Sequence, residues 1–137
     1  MDDVIYLIEE TLEPKEFIEV LKSSTLSERR PVDDMKRIAS MCNNANLIVT
    51  ARLNQKLIGV ARSITDFVYC TYLSDLAVDV KYQKKGIGKR LIEETKKVSP
   101  QAKLILLSAP GAINYYPRIG MKKHSYCYYI DDIKELT

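Results

Sequence analysis

The sequence predicts a single mixed α/β domain spanning residues 1–137, and three observations support that fold class. The chain is long enough to bury one core without disulfides or metals, and its 46% hydrophobic and 28% charged residues are typical of globular proteins. Apolar runs of strand length alternate with amphipathic stripes of helical period. Residues 67–108 follow the order strand, glycine turn, helix, strand, which indicates a crossover unit.

In the first half of the chain we expect one strand, two helices and a hairpin. Residues 4–10 are predicted to form a short opening strand, and Pro14 suits the first turn of the helix that follows. The polar stretch 23–30 predicts a loop, after which apolar residues recur at helical spacing from Val32 to Cys42. Two apolar runs, 46–53 and 56–64, flank the polar pair Asn54 and Gln55, which predicts a β-hairpin.

In the second half we expect three strands and two helices. Residues 67–80 and 103–108 read as buried strands, and the apolar stripe between Gly88 and Val98 reads as the helix that joins them. A short helix is expected at Ala112–Tyr116, followed by a turn and an aromatic strand at residues 123–130. The pattern contains no internal repeat and no linker.

Composition argues against several classes of protein. No apolar stretch approaches the about 20 residues that span a bilayer, and the acidic N-terminus is unlike a signal peptide, so we expect a cytoplasmic protein without a membrane partner. Three cysteines without a CxxC pair and a single histidine, His124, indicate neither a disulfide framework nor a metal site. We expect Cys42, Cys70 and Cys127 to be packing thiols.

The basic residues are concentrated at one place. Residues 81–90 contain five cations and no carboxylate, although the net charge of the chain is only +3. A compact cluster suits a phosphate ester better than a nucleic-acid track, in which cations spread over a face. Gly86 and Gly88 lie within this cluster at the expected start of a helix, where unpaired N–H groups attract anions.

The two glycines do not identify a phosphate motif by themselves. Leu91 stands where the dinucleotide fingerprint needs a third glycine, and GxxxxGK[ST] is absent. The residues alone leave two alternatives open, a plain solvated turn and a phosphate site.

The surrounding string is more specific. LSDLAVDVKYQKKGIGKRLIEE, residues 73–94, resembles the acyl-CoA-binding core of the GNAT superfamily of N-acetyltransferases, with its signature [QR]-x-x-G-x-[GA] at Gln83, Gly86 and Gly88. AINYYPRIGM, residues 112–121, resembles the C-terminal motif of the same family. The order of elements extends the resemblance over nearly the whole chain, and it implies a twisted mixed sheet of about six to seven strands flanked by about four helices.

The resemblance implies a cofactor and the residues that bind it. Acetyl-CoA would be the cosubstrate, with its pyrophosphate held by the N–H groups and lysines of the glycine turn and its pantetheine amides paired with the preceding strand. The implied turn residues are Gln83, Lys84, Lys85, Gly86, Ile87, Gly88 and Lys89, and the implied strand residues are Leu76, Ala77 and Val78. No metal would be needed, and relatives of this kind are commonly homodimers.

Two residues are candidates for proton transfer. The resemblance places Tyr116 near the thioester sulfur, where a phenol of reference pKa about 10 can protonate a departing thiolate. Asp75 lies inside an apolar run, where burial would favour its use as a general base. The alternative is a structural Asp75, bonded to backbone amides or a neighbouring loop.

The resemblance therefore implies acetyl transfer from acetyl-CoA to the primary amine of a small molecule or peptide, by direct attack in a ternary complex. Two alternatives from other classes remain open. One is a non-catalytic acyl-CoA-binding sensor or interaction module. The other is a small RNA-binding domain that uses the basic cluster, although we expect no nucleic-acid partner.

Overall fold

The computed structural model describes residues 3–137, and these form two compact units, which are described separately and divide between Leu107 and Ser108. The first unit contains a five-stranded sheet and three α-helices. The second contains one short α-helix and irregular chain. No helix among the described residues is long and apolar enough to cross a bilayer.

The sheet has its strands in sequence order. The first four strands pair antiparallel and the fifth pairs parallel to the fourth, and they are β1 (Ile5–Ile8), β2 (Leu47–Leu53), β3 (Lys56–Thr65), β4 (Cys70–Val78) and β5 (Lys103–Ile105). Asn54 and Gln55 join β2 to β3 with positive φ angles of 49° and 71°, which is the backbone of a two-residue hairpin turn. The predicted hairpin is therefore confirmed.

The first three helices lie close to the predicted segments, whereas the fourth begins at Tyr115 rather than Ala112. The helices are α1 (Pro14–Ser23), α2 (Met35–Asn44), α3 (Ile87–Val98) and α4 (Tyr115–Arg118), with 3₁₀ turns at Leu26–Arg29, Val80–Tyr82, Pro110–Ala112 and Ile133–Glu135. Pro14 opens α1, and the carboxylate of Asp34 caps α2 by accepting from the N–H of Arg37 at 3.1 Å.

The helices cover the two faces of the sheet with separate cores. Phe17 and Leu21 of α1 pack with Ile38 of α2 on one face, and Leu91 of α3 packs on the other. Gly59 of β3 allows this second contact, because a Cβ there would lie 3.2 Å from Cδ1 of Leu91. Close approach of α3 places its N-terminus beside the end of β4.

Two expectations about strands are wrong. The sheet has five strands rather than six to seven, because residues 123–130 form no strand and the side chains of Tyr126, Tyr128 and Tyr129 are exposed. Alternating aromatics favour extended backbone, but a strand also needs a partner, and no described residue pairs with this segment. β4 begins at Cys70 rather than 67, because the Asp66 carboxylate accepts N–H groups from residues 68–70 and holds a turn there.

The cysteines also differ from expectation. Cys42 is buried as expected, and burial raises the pKa of its thiol to about 11, so it is inert near neutral pH. Cys70 and Cys127 are exposed and are not core residues. Cys70 lies at the first position of β4, outside both hydrophobic clusters.

Candidate functional site

One edge of β4 is open along its second half. β4 pairs with β3 up to Val78, but it pairs with β5 only at Cys70, Thr71 and Tyr72. From Leu73 onward, none of the described strands is paired with this edge. Main-chain groups on this edge that no side chain occupies are therefore available to an extended ligand.

The register decides which groups face the open edge. The N–H of Asp79 donates to Ile58 O at 2.8 Å, and main-chain groups alternate in direction along a strand, so those of Ala77 also point toward β3. The main-chain N–H and C=O groups of Leu76 and Val78 therefore point away from β3, toward the open edge. The carbonyl of Val78 already accepts from Nε2 of Gln83 at 2.8 Å. The open edge thus presents both main-chain groups of Leu76 and the N–H of Val78.

A β-bulge marks the far end of the open edge. Arg62 of β3 lies opposite Asp75, and the next residue, Ser63, lies opposite Leu73. Ser74 is therefore an extra residue in β4, and a bulge of this kind bends and twists the strand. The pairing with β5 stops at Tyr72, just before the bulge.

The other end of the open edge leads to a turn that is shaped to bind an anion. Lys84 and Gly86 have positive φ angles of 65° and 83°, whereas Lys85 between them does not. Such alternation directs successive N–H groups into one concavity. The first helical bond of α3 runs from Arg90 N to Gly86 O at 3.0 Å, and no acceptor among the described residues pairs with the N–H groups of residues 84–89.

The charges around this turn are positive. Arg90 is engaged elsewhere, with its Nε 2.9 Å from Glu94 Oε1 and its guanidinium over the Tyr6 ring. The ammonium of Lys85 lies 5.8 Å from the centre of the Tyr82 ring. Lys81, Lys84 and Lys85 have no carboxylate partner within the part of the chain that the structure describes. The turn can therefore hold a phosphate group, and the open edge of β4 can pair with amides attached to it.

Comparison with known proteins agrees with this geometry. The family described as the acetyltransferase (GNAT) family matches residues 10–121, which is most of the chain. The chain belongs to the GNAT acetyltransferase family.

Relatives of known structure share the fold at low identity. A GNAT acetyltransferase from Streptococcus pneumoniae is 17% identical and has a TM-score of 0.77, with coverage of 96% of this chain and 98% of the other. A probable acetyltransferase from Staphylococcus aureus is 20% identical with a TM-score of 0.71, over 96% and 100% of the two chains. An aminoglycoside acetyltransferase from an uncultured soil sample, solved with sisomicin, is 18% identical with a TM-score of 0.66, over 94% and 97%.

A curated relative matches a shorter region. GCN5-related N-acetyltransferase 2 of Arabidopsis thaliana, a chloroplast protein, is 30% identical over 71 residues, which is 50% of this chain. The match spans only 28% of that protein. GNAT membership confirms the resemblance seen in the motifs and the mixed α/β fold class.

Asp75, the GNAT chain's candidate base, is completely buried and paired. Its Oδ1 accepts from Nε of Arg30, and its Oδ2 accepts from Nε of Arg62 at 2.5 Å. The side chain has 0% exposure. Both oxygens are occupied by guanidinium groups, and neither is open to a substrate amine.

Tyr116, the candidate acid, lies in α4 of the second unit. Its ring is half-buried and meets the ring of Tyr115 edge to face, with centroids 5.3 Å apart. Burial, and to a smaller extent Tyr115, raises the pKa of the Tyr116 phenol above its ordinary value of 10. The phenol therefore keeps its proton at neutral pH. Pro117 is accommodated at the third position of this four-residue helix, where its missing N–H has no partner to lose.

Neither of the two arginines that bind Asp75 was predicted as a site residue from the sequence. Arg62 left a signal, since it is a charge within the apolar run 56–64 and the run after it contains Asp75. No sequence pattern indicated Arg30, because it lies in a polar loop of mixed charge. Within residues 3–137 the structure shows no group of three or more metal-ligating side chains.

Proposed function

We propose that this GNAT protein transfers an acetyl group from acetyl-CoA to a primary amine of a small molecule or peptide. The observation that carries the proposal is the continuity between the open edge of β4 and the uncapped start of α3. The open edge of β4 provides main-chain groups for strand-like pairing, and the start of α3 provides a concavity of N–H groups. A cofactor with amides in its arm and phosphates at one end uses both.

In this proposal the cofactor is held largely by main chain. The N–H groups of residues 84–89 bind the pyrophosphate, and the lysines of the turn add positive charge. The pantetheine amides pair with Leu76 and Val78, since the main-chain groups of Ala77 are directed at β3. Gln83 acts indirectly, by bonding the carbonyl of Val78 and holding the turn against the strand end.

The transfer needs two proton movements. The amine nitrogen attacks the thioester carbon and the C–S bond breaks, and the proton that the nitrogen loses as the amide forms is balanced by the proton that reaches the sulfur. A phenol of pKa above 10 is a weaker acid than a thiol of reference pKa about 8.5, so full transfer from Tyr116 is uphill by about 2 kcal/mol or more. We therefore propose that Tyr116 stabilises the leaving thiolate by donating a hydrogen bond, with water completing the protonation.

The amine must also lose a proton before it attacks. Asp75 as general base remains a prediction, and its contacts with Arg30 and Arg62 weigh against it. We propose that ordered water carries this proton to solvent and that Asp75 is structural. The same contacts favour one alternative, a GNAT domain that binds acyl-CoA without turnover.

Thermal unfolding with acetyl-CoA tests the binding step. At a hundred times the dissociation constant, the ligand stabilises the protein by about 2.7 kcal/mol, which raises the midpoint by about 5–10 °C for a chain of this size. ATP at the same concentration is the control for a polyanion. A shift with acetyl-CoA alone supports the proposal, and equal shifts with both ligands, or none, refute it.

Replacement of Tyr116 by Phe tests whether its hydroxyl stabilises the leaving thiolate. Loss of one hydrogen bond to a developing thiolate should lower kcat by about 10- to 150-fold and leave acetyl-CoA affinity nearly unchanged. Tyr115→Phe is the matched control, because it removes a neighbouring hydroxyl from the same helical turn. Full activity of the Tyr116 variant would remove this residue from the mechanism. If the unaltered protein binds acetyl-CoA but acetylates no amine tested, the non-catalytic alternative is favoured.

A further inference from the structure

The two arginines on Asp75 come from different parts of the fold. Arg30 lies in the connection between α1 and α2, residues 24–34, and Arg62 lies in β3. Besides Asp75, Arg30 donates through Nη2 to Ser74 O at 2.9 Å. Arg62 donates through Nη2 to Ser74 Oγ at 3.0 Å and through Nη1 to Met41 O at 3.0 Å. The cluster therefore joins β3, β4, α2 and the α1–α2 connection.

These contacts hold the bulge of β4 in one conformation. An extra residue in a strand leaves main-chain groups without a ladder partner. Here the carbonyl and hydroxyl of Ser74, and both carboxylate oxygens of Asp75, all accept from guanidinium nitrogens. The orientation of the Ser74–Asp75 segment is thus set by two arginines.

The bulge lies at the end of the open edge that is remote from the phosphate site. Ser74 is four residues from Val78, which is about 14 Å of extended strand. A cofactor anchored at the α3 turn and paired along this edge directs its acyl end toward Ser74. This step rests on the proposed function.

We propose that Arg30 is a positioning residue for acyl transfer. Its guanidinium, oriented by Asp75, fastens the α1–α2 connection to the bulge, so the acyl end of the open edge is ordered before the acceptor arrives. The planar fork of arginine reaches Asp75 Oδ1 and Ser74 O together, whereas the point charge of lysine does not match both directions. The role therefore depends on the shape of the side chain as well as its charge.

The chain contains a matched control for this position. Arg52 of β2 is 16% exposed, compared with 21% for Arg30, and it binds the carboxylates of Glu9 and Glu16 on the β1 side of the sheet. Arg30→Gln and Arg52→Gln both break a guanidinium–carboxylate cluster. Only Arg30→Gln breaks one at the open edge of β4.

Two measurements separate positioning from simple stability. The first is hydrogen exchange of residues 73–76 with saturating acetyl-CoA, and the second is kcat/KM with tyramine, spermidine and a lysine peptide as probe amines. Arg30→Gln should speed exchange at least tenfold and lower kcat/KM at least tenfold, with acetyl-CoA affinity unchanged within threefold. Arg52→Gln should leave the exchange rate, kcat/KM and acetyl-CoA affinity unchanged. Arg30→Lys should restore less than half of the change in exchange rate and less than half of the change in kcat/KM, both measured on a logarithmic scale.

Several outcomes would overturn the inference. Equal effects of Arg30→Gln and Arg52→Gln would mean that the cluster only stabilises the fold, and full rescue by Arg30→Lys would mean that charge alone suffices. If no probe amine is turned over, the hydrogen-exchange result alone tests the inference. If Arg30→Gln fails to fold, the same measurements are made on Arg30→Lys. Failure of the unaltered protein to bind acetyl-CoA would overturn the proposed function and this inference with it, whereas binding with unchanged exchange overturns the inference alone.

Discussion

Replacement of Asp75 by Ala should lower the free energy of unfolding by about 3–5 kcal/mol, the usual cost of removing one partner from a buried ion pair. The carboxylate has 0% exposure and is the shared partner of Arg30 and Arg62. Its loss leaves two guanidinium groups near the bulge with no counter-ion, and the 7% exposure of Arg62 gives that residue little access to water. Urea unfolding followed by circular dichroism measures the change.

A partly exposed carboxylate with exposed partners provides the control. Glu94 pairs with Arg90 and Lys97 on the solvent side of α3, at 2.9 and 3.1 Å. Glu94→Gln should leave the urea midpoint almost unchanged, because exposed pairs contribute little. A similarly small effect of Asp75→Ala would show that the buried cluster contributes no more than a surface pair. It would also reopen the assignment of Asp75 as a free base.

Replacement of Gly86 by Val should weaken acetyl-CoA binding at least a hundredfold. Gly86 has φ of +83°, and a Cβ built there meets no atom within 4 Å, so the folded chain has room for the side chain at the cost of a strained backbone. A β-branched side chain at this position would stand among the N–H groups of residues 84–89 and turn them away from phosphate. The readout is the acetyl-CoA-dependent shift of the thermal midpoint, which should disappear.

Gly120 is the matched control for Gly86. Its φ is +97°, and a Cβ there also meets nothing within 4 Å, so Gly120→Val carries a comparable backbone strain outside the turn. Both variants should lose some stability, and only Gly120→Val should keep the acetyl-CoA shift. If Gly86→Val keeps its shift, the phosphate does not lie against this turn. If both variants lose the shift, the cause is general destabilisation.

Local patterns were sufficient for much of the fold. Pro14 and the apolar spacing of α1, the polar pair in the hairpin and the glycine turn before α3 are short-range features, and each has the predicted form. The segment 123–130 shows where such reasoning fails. Its aromatic alternation is a real local preference, but pairing depends on residues distant in sequence.

The sequence by itself determined the family, the fold class and the position of the glycine turn before α3, because these depend on residue types at close spacing. Only the tertiary structure decided which groups of β4 are free and what surrounds Asp75. The strand register directs the main-chain groups of Leu76 and Val78 to the open edge and those of Ala77 toward β3. Folding brings Arg30 to Asp75 across 45 positions of sequence. The environment of a buried carboxylate is set by such distant partners, and no pattern around Asp75 itself encodes them.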